Sequence, residues 1–262
     1  MKKEIKALLI PDVHCREFWK IPVHDVLDNH PDARIIFTGD YVDGYPDDFT
    51  DDDYPTRGVA NLEEIIKLKK DNPDRVTLLL GNHDCGYAIN PYICNCRTDY
   101  AHKDKIKKLF TENRDCFQLL THVDAGQKIL VSHAGVKTEF LKRHDIDSEK
   151  INIENYYNNA WAIEDYSVLN TLGECDHYRD WLADRDTEGS FIWSDLRSWF
   201  DGDNPKDEGL GYQIFGHTYL NGPIINEKFA CIDCQRGFIF DEDNTFDIYK
   251  KEEIKDEKEK EE

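Results

Sequence analysis

The first third of the sequence alternates short apolar runs with amphipathic segments. The apolar runs cover residues 5–10, 34–38 and 76–80, and each stops at a proline or a glycine. Runs of this length that end at such residues are typical of buried strands. The segments between them, 17–29 and 59–70, have helix-like spacing of apolar residues. This strand–helix–strand order predicts an α/β fold whose opening strands are parallel.

The second half of the sequence has a different pattern. Residues 117–123 and 128–132 indicate two strands around a turn, and residues 148–170 indicate an aromatic-rich helix. Short strands are expected over residues 211–249, because turn pairs interrupt that stretch at Asn221-Gly222, Arg236-Gly237 and Asp243-Asn244. We therefore expect the second half to supply a more antiparallel sheet.

Length and composition are those of a folded protein. The chain has 262 residues, of which 39% are hydrophobic, and this is enough for one large core. The sequence shows no internal repeat and no linker. We predict one catalytic domain over residues 1–249, followed by a charged tail over residues 250–262 that is solvated and disordered, since it has almost nothing to bury.

The net charge excludes one class of partner. The formal charge is −21, and a negative field repels polyanions, so we expect no generic nucleic-acid binding. Part of that charge comes from an acidic run over residues 47–53. The simplest interpretation of the run is an exposed loop, and the sequence leaves any further role open.

The sequence predicts a cytoplasmic protein that does not bind membranes. It has no apolar run near the ~20 residues of a membrane helix, and the opening apolar stretch is too short for a signal peptide. Eight cysteines are then expected to be free thiols. Cys231 and Cys234 have the CxxC spacing without a second pair, and Cys94 and Cys96 are too close together for the usual zinc spacing. A structural metal or redox role is therefore the less favoured interpretation of either pair, and the role of Cys231 and Cys234 stays open.

Polar side chains follow the ends of five predicted strands. In α/β sheets the carboxyl ends of the strands carry the loops that form ligand sites, so these side chains are expected to meet in one crevice. The residues are Asp12 and His14, Asp40 and Asp43, Asn82 and His83, His133, and His217.

Each of these signals is weak when it is taken alone. Asp12 could cap the following helix, and a single histidine beside a strand is usually a hydrogen-bonded core residue. Together, however, the residues offer carboxylate, amide and imidazole donors and no thiolate. This is the ligand set that suits a pair of divalent ions. We therefore prefer a metal centre to several unrelated structural roles.

The order of the motifs DxH, GDxxD, GNHD, SHAG and GHT resembles the calcineurin-like metallophosphoesterases. The resemblance extends from Asp12 to about Asp247. It implies a four-layer α/β/β/α sandwich with two mixed β-sheets. It also implies hydrolysis of phosphate esters with two divalent metal ions, whose identity (Mn, Fe, Zn, Co or Ni) stays open.

The resemblance implies roles by position. The implied metal ligands are Asp12 and His14 for the first ion, Asp40 as the bridge, and Asn82, His133 and His217 for the second ion. His83 resembles the proton donor to the leaving group, with Asp43 orienting it. In this chemistry two ions ~3.5–4 Å apart clamp the attacking and leaving oxygens, and a hydroxide held between them attacks the phosphorus.

The last motif indicates a branch of the family. Several branches end with GHxH, whereas Tyr219 stands here where the last histidine would be. This ending resembles the branch that contains Ser/Thr protein phosphatases and symmetrical dinucleoside tetraphosphatases. The segment Trp193-Ser194-Asp195 is similar to Ser/Thr protein phosphatases. Those enzymes usually carry an arginine that grips the substrate phosphate, where this chain has Gly44. Arg16 and Arg197 are the nearest replacements in sequence, because guanidinium binds phosphate bidentately.

Three functions remain open from the sequence. The main hypothesis is a Ser/Thr protein phosphatase-like enzyme acting on a phosphoprotein or a small phosphate ester. The second is a dinucleoside polyphosphate hydrolase, because GNHD is closer than GNHE to the symmetrical dinucleoside tetraphosphatases. The third, a non-catalytic scaffold, is least favoured because every implied ligand is present. Native substrate, native metal and oligomeric state do not follow from the sequence.

Overall fold

A computed structural model describes residues 4–90, 97–180, 184 and 187–250. Cys94 and Cys96 lie outside the described residues, and so does the predicted tail beyond residue 250. Cys15, Cys116, Cys231 and Cys234 are free thiols, as predicted for these four. Among the described helices, none is both long enough and apolar enough to cross a membrane.

The described residues form strands and helices in alternation at first, and mainly strands later. The strands are β1 (Ile5–Ile10), β2 (Arg34–Phe37), β3 (Val76–Leu79), β4 (Phe117–Gln118), β5 (Thr121–Asp124), β6 (Lys128–Val131), β7 (Phe200–Asp201), β8 (Asn204–Pro205), β9 (Gln213–Phe215), β10 (Ile224–Ile225), β11 (Phe229–Cys231), β12 (Phe238–Asp241) and β13 (Phe246–Ile248). The α-helices are α1 (Lys20–Asn29), α2 (Tyr54–Asp71), α3 (Asn82–Ala88), α4 (Lys103–Glu112), α5 (Thr138–Arg143), α6 (Ile153–Ala162) and α7 (Tyr166–Leu169).

Two mixed sheets form the centre of the fold. The first has the order β13-β12-β1-β2-β3-β4, and the second has the order β10-β11-β9-β6-β5. Strands β1 to β4 pair in parallel, while β12 pairs antiparallel to β1. In the second sheet β9 pairs in parallel with both β6 and β11. Thus the predicted parallel opening is confirmed, and the second sheet is mixed.

Alternation along β1 explains why its sequence is continuously apolar. Leu8 and Ile10 pack in the core that includes helix residues such as Val23 and Leu62. Ala7 and Leu9 pack in the other core, between the two sheets. Because successive side chains of a strand point to opposite faces, a strand buried on both faces has no polar alternation. The predicted four-layer α/β/β/α sandwich is confirmed.

Two predictions for the middle of the chain were wrong. Residues 117–123 are not one strand, because β4 and β5 belong to different sheets. Between them the Asn158 amide oxygen accepts hydrogen bonds from the N–H groups of Leu119 and Leu120, at 2.8 and 3.1 Å. These two N–H groups are therefore not available for pairing with a neighbouring strand. The helix predicted over 148–170 is divided into α6 and α7, since the Asp165 side chain caps α7 by accepting from Ser167 N–H.

Candidate metal centre

The sequence-predicted residues meet at the carboxyl ends of the central strands. A cavity of about 250 Å³ lies at this edge, and its wall includes His14, Asp40, Asn82, His83 and His217. His133 is fully buried and contacts the same group. The loops after five strands of two sheets therefore converge, as α/β topology predicts.

The backbone here is held in unusual conformations. The non-glycine residues His14, Asp40, Asp43 and His217 all have positive φ, between 43° and 66°. Such conformations cost free energy and cluster at functional sites. Gly81 allows the Asp40 carboxylate to approach the backbone, since a Cβ at residue 81 would overlap Asp40 Oδ1. Four of the residues that the sequence singled out therefore have this backbone conformation.

Asp84 holds two of these loops together. Its carboxylate accepts the N–H groups of Asp40 at 2.7 Å, Gly81 at 2.9 Å and Tyr41 at 3.0 Å. Asp84 is fully buried, and burial and the nearby Asp40 carboxylate raise its pKa well above the usual range. The aspartate of GNHD therefore connects the loop after β2 to the start of α3, a role that the motif pattern did not predict.

Three candidate ligand atoms lie close to His133 Nε2, which is itself a fourth. His133 Nε2 lies 2.9 Å from Asn82 Oδ1, 3.1 Å from His217 Nδ1 and 3.5 Å from Asp40 Oδ2. His217 Nδ1 lies 3.0 Å from Asn82 Oδ1. Ligands bonded at about 2.1 Å to one metal ion stand roughly 3.0 Å apart at right angles and roughly 3.4 Å apart in a tetrahedron. The spacing of these four atoms fits one divalent ion.

A second group shares Asp40. His14 Nε2 lies 3.4 Å from Asp40 Oδ2, and His14, Asp40 and His83 can bring ligand atoms within 4.8 Å of one another. Asp12 is not part of that group. Its Oδ1 accepts the His217 N–H at 2.9 Å, and the residue is fully buried. Asp40 Oδ2 therefore stands between His14 and His133, where a bridging carboxylate would stand.

The imidazoles have the protonation that metal ligands need. Burial lowers the pKa of His14, His133 and His217, so all three favour the neutral form. His133 Nδ1 donates to Thr38 O at 3.0 Å, and His14 Nδ1 donates to Val42 O at 3.1 Å. Since a carbonyl only accepts, the lone pair of each ring is left on Nε2, which faces the centre.

His83 has a different environment. Its Nδ1 lies 2.9 Å from Asp43 Oδ2, and Asp43 is buried. Asp43 Oδ1 accepts the Tyr87 hydroxyl at 2.6 Å and the Asp99 N–H at 3.0 Å. Burial and the Asp43 carboxylate raise the pKa of Tyr87, so it stays a neutral donor. His83 and Tyr87 lie one turn apart on α3, and this spacing brings both side chains to Asp43.

The arginines at the cavity are not those that the sequence suggested. Arg16 Nε donates to Asp48 at 3.0 Å, and Arg197 Nε donates to Asp195 at 2.8 Å. The cavity that holds the histidines is lined instead by Arg97 and Arg179. Arg97 Nη2 donates to Asp43 O at 2.9 Å, and its guanidinium lies 3.5 Å from the centre of the Tyr45 ring.

Arg179 is held from the other side of the cavity. Its Nε donates to Asp195 at 2.7 Å, and its Nη2 donates to Thr218 Oγ1 at 3.2 Å. Asp195 belongs to the Trp-Ser-Asp segment, so that segment positions an arginine as well as placing Trp193 on the cavity wall. Both arginines lie in irregular segments far from the motifs, where no periodicity marks them. Tyr87 could have been found, because it stands four residues after His83, which is one turn of a helix.

The sequence model of the family described as calcineurin-like phosphoesterase matches residues 5–221. A catalytic chain of protein phosphatase 2A from Dictyostelium discoideum is 27% identical over 146 residues, which is 55% of this chain and 41% of that protein. The match thus spans about two fifths of that relative's length.

Solved structures show the same fold. The cold-active protein-tyrosine phosphatase of a psychrophilic Shewanella species superimposes with a TM-score of 0.54 at 15% identity, covering 94% of this chain and 80% of that one. A second structure of a cold-active protein-tyrosine phosphatase gives the same TM-score and covers 78% of that chain. At this identity the likeness concerns the fold.

Proposed function

Because the chain belongs to the calcineurin-like phosphoesterase family, we propose that it is a metal-dependent phosphatase that uses two divalent ions to hydrolyse a phosphate monoester. Asp40 would bridge the ions, with Asp12 and His14 at the first and Asn82, His133 and His217 at the second. The observation that carries the proposal is a convergence of ligand atoms: Asn82 Oδ1, His217 Nδ1 and Asp40 Oδ2 all lie 2.9–3.5 Å from His133 Nε2.

The residues present fit such ions. Two neutral imidazole nitrogens only 3.1 Å apart, beside an amide oxygen and a carboxylate oxygen, need a proton or a cation between them. Oxygen and nitrogen donors without thiolate suit Mn²⁺, Fe, Co²⁺, Ni²⁺ or Zn²⁺. Burial raises the pKa of Cys231 well above its usual range and that of Cys234 to about 11, so these thiols stay protonated. When bound, two such ions supply a nucleophile at neutral pH and stabilise charge on the phosphoryl oxygens.

The chain itself supplies proton transfer and orientation. We assign His83 as the group that protonates the leaving oxygen, since its Nδ1 is engaged by Asp43 and the residue lines the cavity. Tyr87 and the Asp99 N–H hold the other carboxylate oxygen of Asp43. This arrangement fixes the imidazole plane relative to the cavity.

Arg97 and Arg179 would bind the phosphate oxygens of the substrate. Both line the cavity, and both are fixed by hydrogen bonds to the backbone or to side chains around it. A guanidinium fork matches two phosphate oxygens, which an ammonium cannot do. Arg97 and Arg179 would then bind the substrate phosphate in place of the family arginine that is absent at position 44.

Replacing Arg97 by alanine is expected to raise KM for a phosphate monoester about 10–100-fold, because a charge-assisted contact of about 1.5–3 kcal/mol is removed. Steady-state kinetics with metal-replete protein measure this. Arg197→Ala is the matched control: Arg197 is paired with Asp195 outside the cavity wall, so its loss should change KM much less. A larger effect from Arg197 than from Arg97 would contradict the assignment.

A substrate panel tests the proposed function. A phosphoserine peptide, p-nitrophenyl phosphate and a dinucleoside tetraphosphate are compared with Mn²⁺ present. Release of inorganic phosphate from the peptide supports a protein phosphatase-like enzyme. Cleavage confined to the tetraphosphate would support a dinucleoside polyphosphate hydrolase instead. Lack of turnover on all three would contradict the phosphatase proposal.

A further inference from the structure

Tyr45 is a residue of the cavity wall to which the proposed function gives no role. Its side chain is 39% exposed and lines the cavity that contains the histidines. The guanidinium carbon of Arg97 lies 3.5 Å from the centre of the Tyr45 ring. The His14 ring meets the same ring edge-on, with 5.1 Å between the ring centres and 78° between the ring planes. Tyr45 therefore contacts both an implied metal ligand and a proposed phosphate-binding residue.

The contact between Tyr45 and Arg97 restricts the position of the guanidinium. A separation of 3.5 Å is van der Waals contact, so the cation lies on the face of the ring, which attracts it. Among the described residues Arg97 makes one hydrogen bond, from Nη2 to Asp43 O at 2.9 Å. A long, exposed side chain with one such bond keeps much of its rotational freedom. The ring face removes part of that freedom and uses none of the N–H groups that would bind phosphate.

The backbone that carries the Tyr45 ring is itself anchored. Tyr45 precedes the short helical turn Pro46–Asp48, and the Asp48 N–H donates to Tyr45 O at 3.0 Å. The Asp48 carboxylate in turn accepts a hydrogen bond from Arg16 Nε at 3.0 Å. The position of the ring is thus set by contacts of the loop after β2 that are separate from Arg97.

The packing around Gly44 favours an arginine that comes from another segment. A Cβ at residue 44 would lie 2.9 Å from the Phe49 ring and 3.1 Å from His14 O. Moving Phe49 aside would break its stack on Tyr54, in which the ring centres are 4.5 Å apart. A side chain at position 44 would therefore disturb the loop. Arg97 reaches the cavity from elsewhere in the chain and lies on the residue next to Gly44.

We propose that Tyr45 is a positioning residue, whose ring holds the Arg97 guanidinium towards the phosphate group of the substrate. The inference rests on the proposed function, since phosphate is the group that Arg97 is assigned to bind. Tyr45 acts here through Arg97 and does not touch the reacting atoms. Its loss should therefore weaken the binding of phosphate and leave the protonation of the leaving group unchanged.

Tyr45→Leu is expected to weaken the binding of inorganic phosphate about 3–10-fold, the fold-change that corresponds to losing a cation–π contact at a partly exposed site. KM for p-nitrophenyl phosphate should rise by a similar factor, while kcat stays within about twofold. Tyr45→Phe keeps the ring and should restore both values, because the attraction comes from the ring face. Calorimetric titration of Mn²⁺-loaded protein with phosphate and steady-state kinetics measure these quantities.

Tyr166→Leu is the matched control, because Tyr166 is 42% exposed and lies on α7, outside the residues that line the cavity. It should leave phosphate affinity unchanged. Bound Mn²⁺ is measured on every variant, since Tyr45 also contacts His14. If Tyr45→Leu loses Mn²⁺, its effect comes through His14 and the inference is wrong. Tyr45→Ala gives the same comparison if a thermal melt shows that the leucine variant does not fold.

A double-mutant cycle separates the positioning of Arg97 from any other role of the ring. In an Arg97→Ala background, Tyr45→Leu should cause little further loss of phosphate affinity. An equal loss in both backgrounds would overturn the inference, and so would a Tyr45→Phe variant that binds phosphate as weakly as Tyr45→Leu. Unchanged phosphate affinity in Tyr45→Leu would overturn it as well.

The two levels of the proposal fail in different ways. If the Mn²⁺-loaded wild type binds phosphate and the cycle shows coupling, but none of the panel substrates is hydrolysed, only the proposed function fails. If the panel substrates are hydrolysed but Tyr45 and Arg97 are not coupled in KM, only the inference fails. If the wild type neither binds phosphate nor hydrolyses any substrate, both are wrong.

Discussion

Replacing His83 by alanine is expected to lower kcat for alkyl phosphates by about 10²–10⁴-fold, the usual contribution of a general acid. The loss should depend on the leaving group. The alkoxide that leaves from a phosphoserine ester is strongly basic and needs a proton, whereas p-nitrophenolate is stable without one. The variant should therefore be much less impaired on p-nitrophenyl phosphate than on a phosphoserine peptide.

This comparison also decides between two roles that the geometry permits for His83. Its ring lies 5.0 Å from that of His14, close enough for both to hold one ion with Asp40. If His83 were a ligand, the alanine variant would lose metal, and both substrates would suffer alike. Metal content is measured on the same preparations. Equal losses on both substrates with full metal content would show that His83 is not the proton donor.

Replacing Asp40 by asparagine is expected to have the largest effect on metal binding. Asp40 Oδ2 stands 3.4 Å from His14 and 3.5 Å from His133, so one charge serves both groups of ligands. The loss of this charge should weaken the binding of both ions. Activity should fall about 10³-fold or more, because the ions contribute several kcal/mol of transition-state stabilisation.

Asp43→Asn is the matched control for Asp40. Asp43 is a buried aspartate of the same loop with positive φ, but its carboxylate contacts His83 and Tyr87 and lies outside both groups of ligand atoms among the described residues. We expect it to keep both ions and to lose about 10–100-fold in activity. The roles are reversed if Asp43→Asn loses both ions while Asp40→Asn, shown to be folded by its thermal melt, retains them.

The parts of the fold that the sequence predicted are those with strong periodicity. Strand β1 was predicted with its observed bounds, because its buried apolar run ends at a proline. Helix α2 begins five residues before the predicted start, since Pro55 can occupy its first turn without losing a hydrogen bond. The sequence could not show that residues 117–123 form two strands. The division depends on Asn158, which lies on α6, far along the chain from these strands.

In the candidate site, too, the sequence could predict residues next to regular strands but not residues in irregular segments. Residues at strand ends, such as Asn82 and His217, were placed together by topology alone. The arginines could not be placed, because Arg97 and Arg179 come from irregular segments whose position depends on contacts with Asp43 and Asp195.

The central claim, a two-ion centre that performs hydrolysis, is tested most directly by metal reconstitution. The protein is stripped with a chelator, dialysed, and titrated with Mn²⁺ while bound metal and phosphate release are measured on the same samples. The account predicts negligible hydrolysis after stripping, and recovery that saturates near two ions per chain. Full activity in exhaustively chelated protein, with no transition metal detected by elemental analysis, would contradict it.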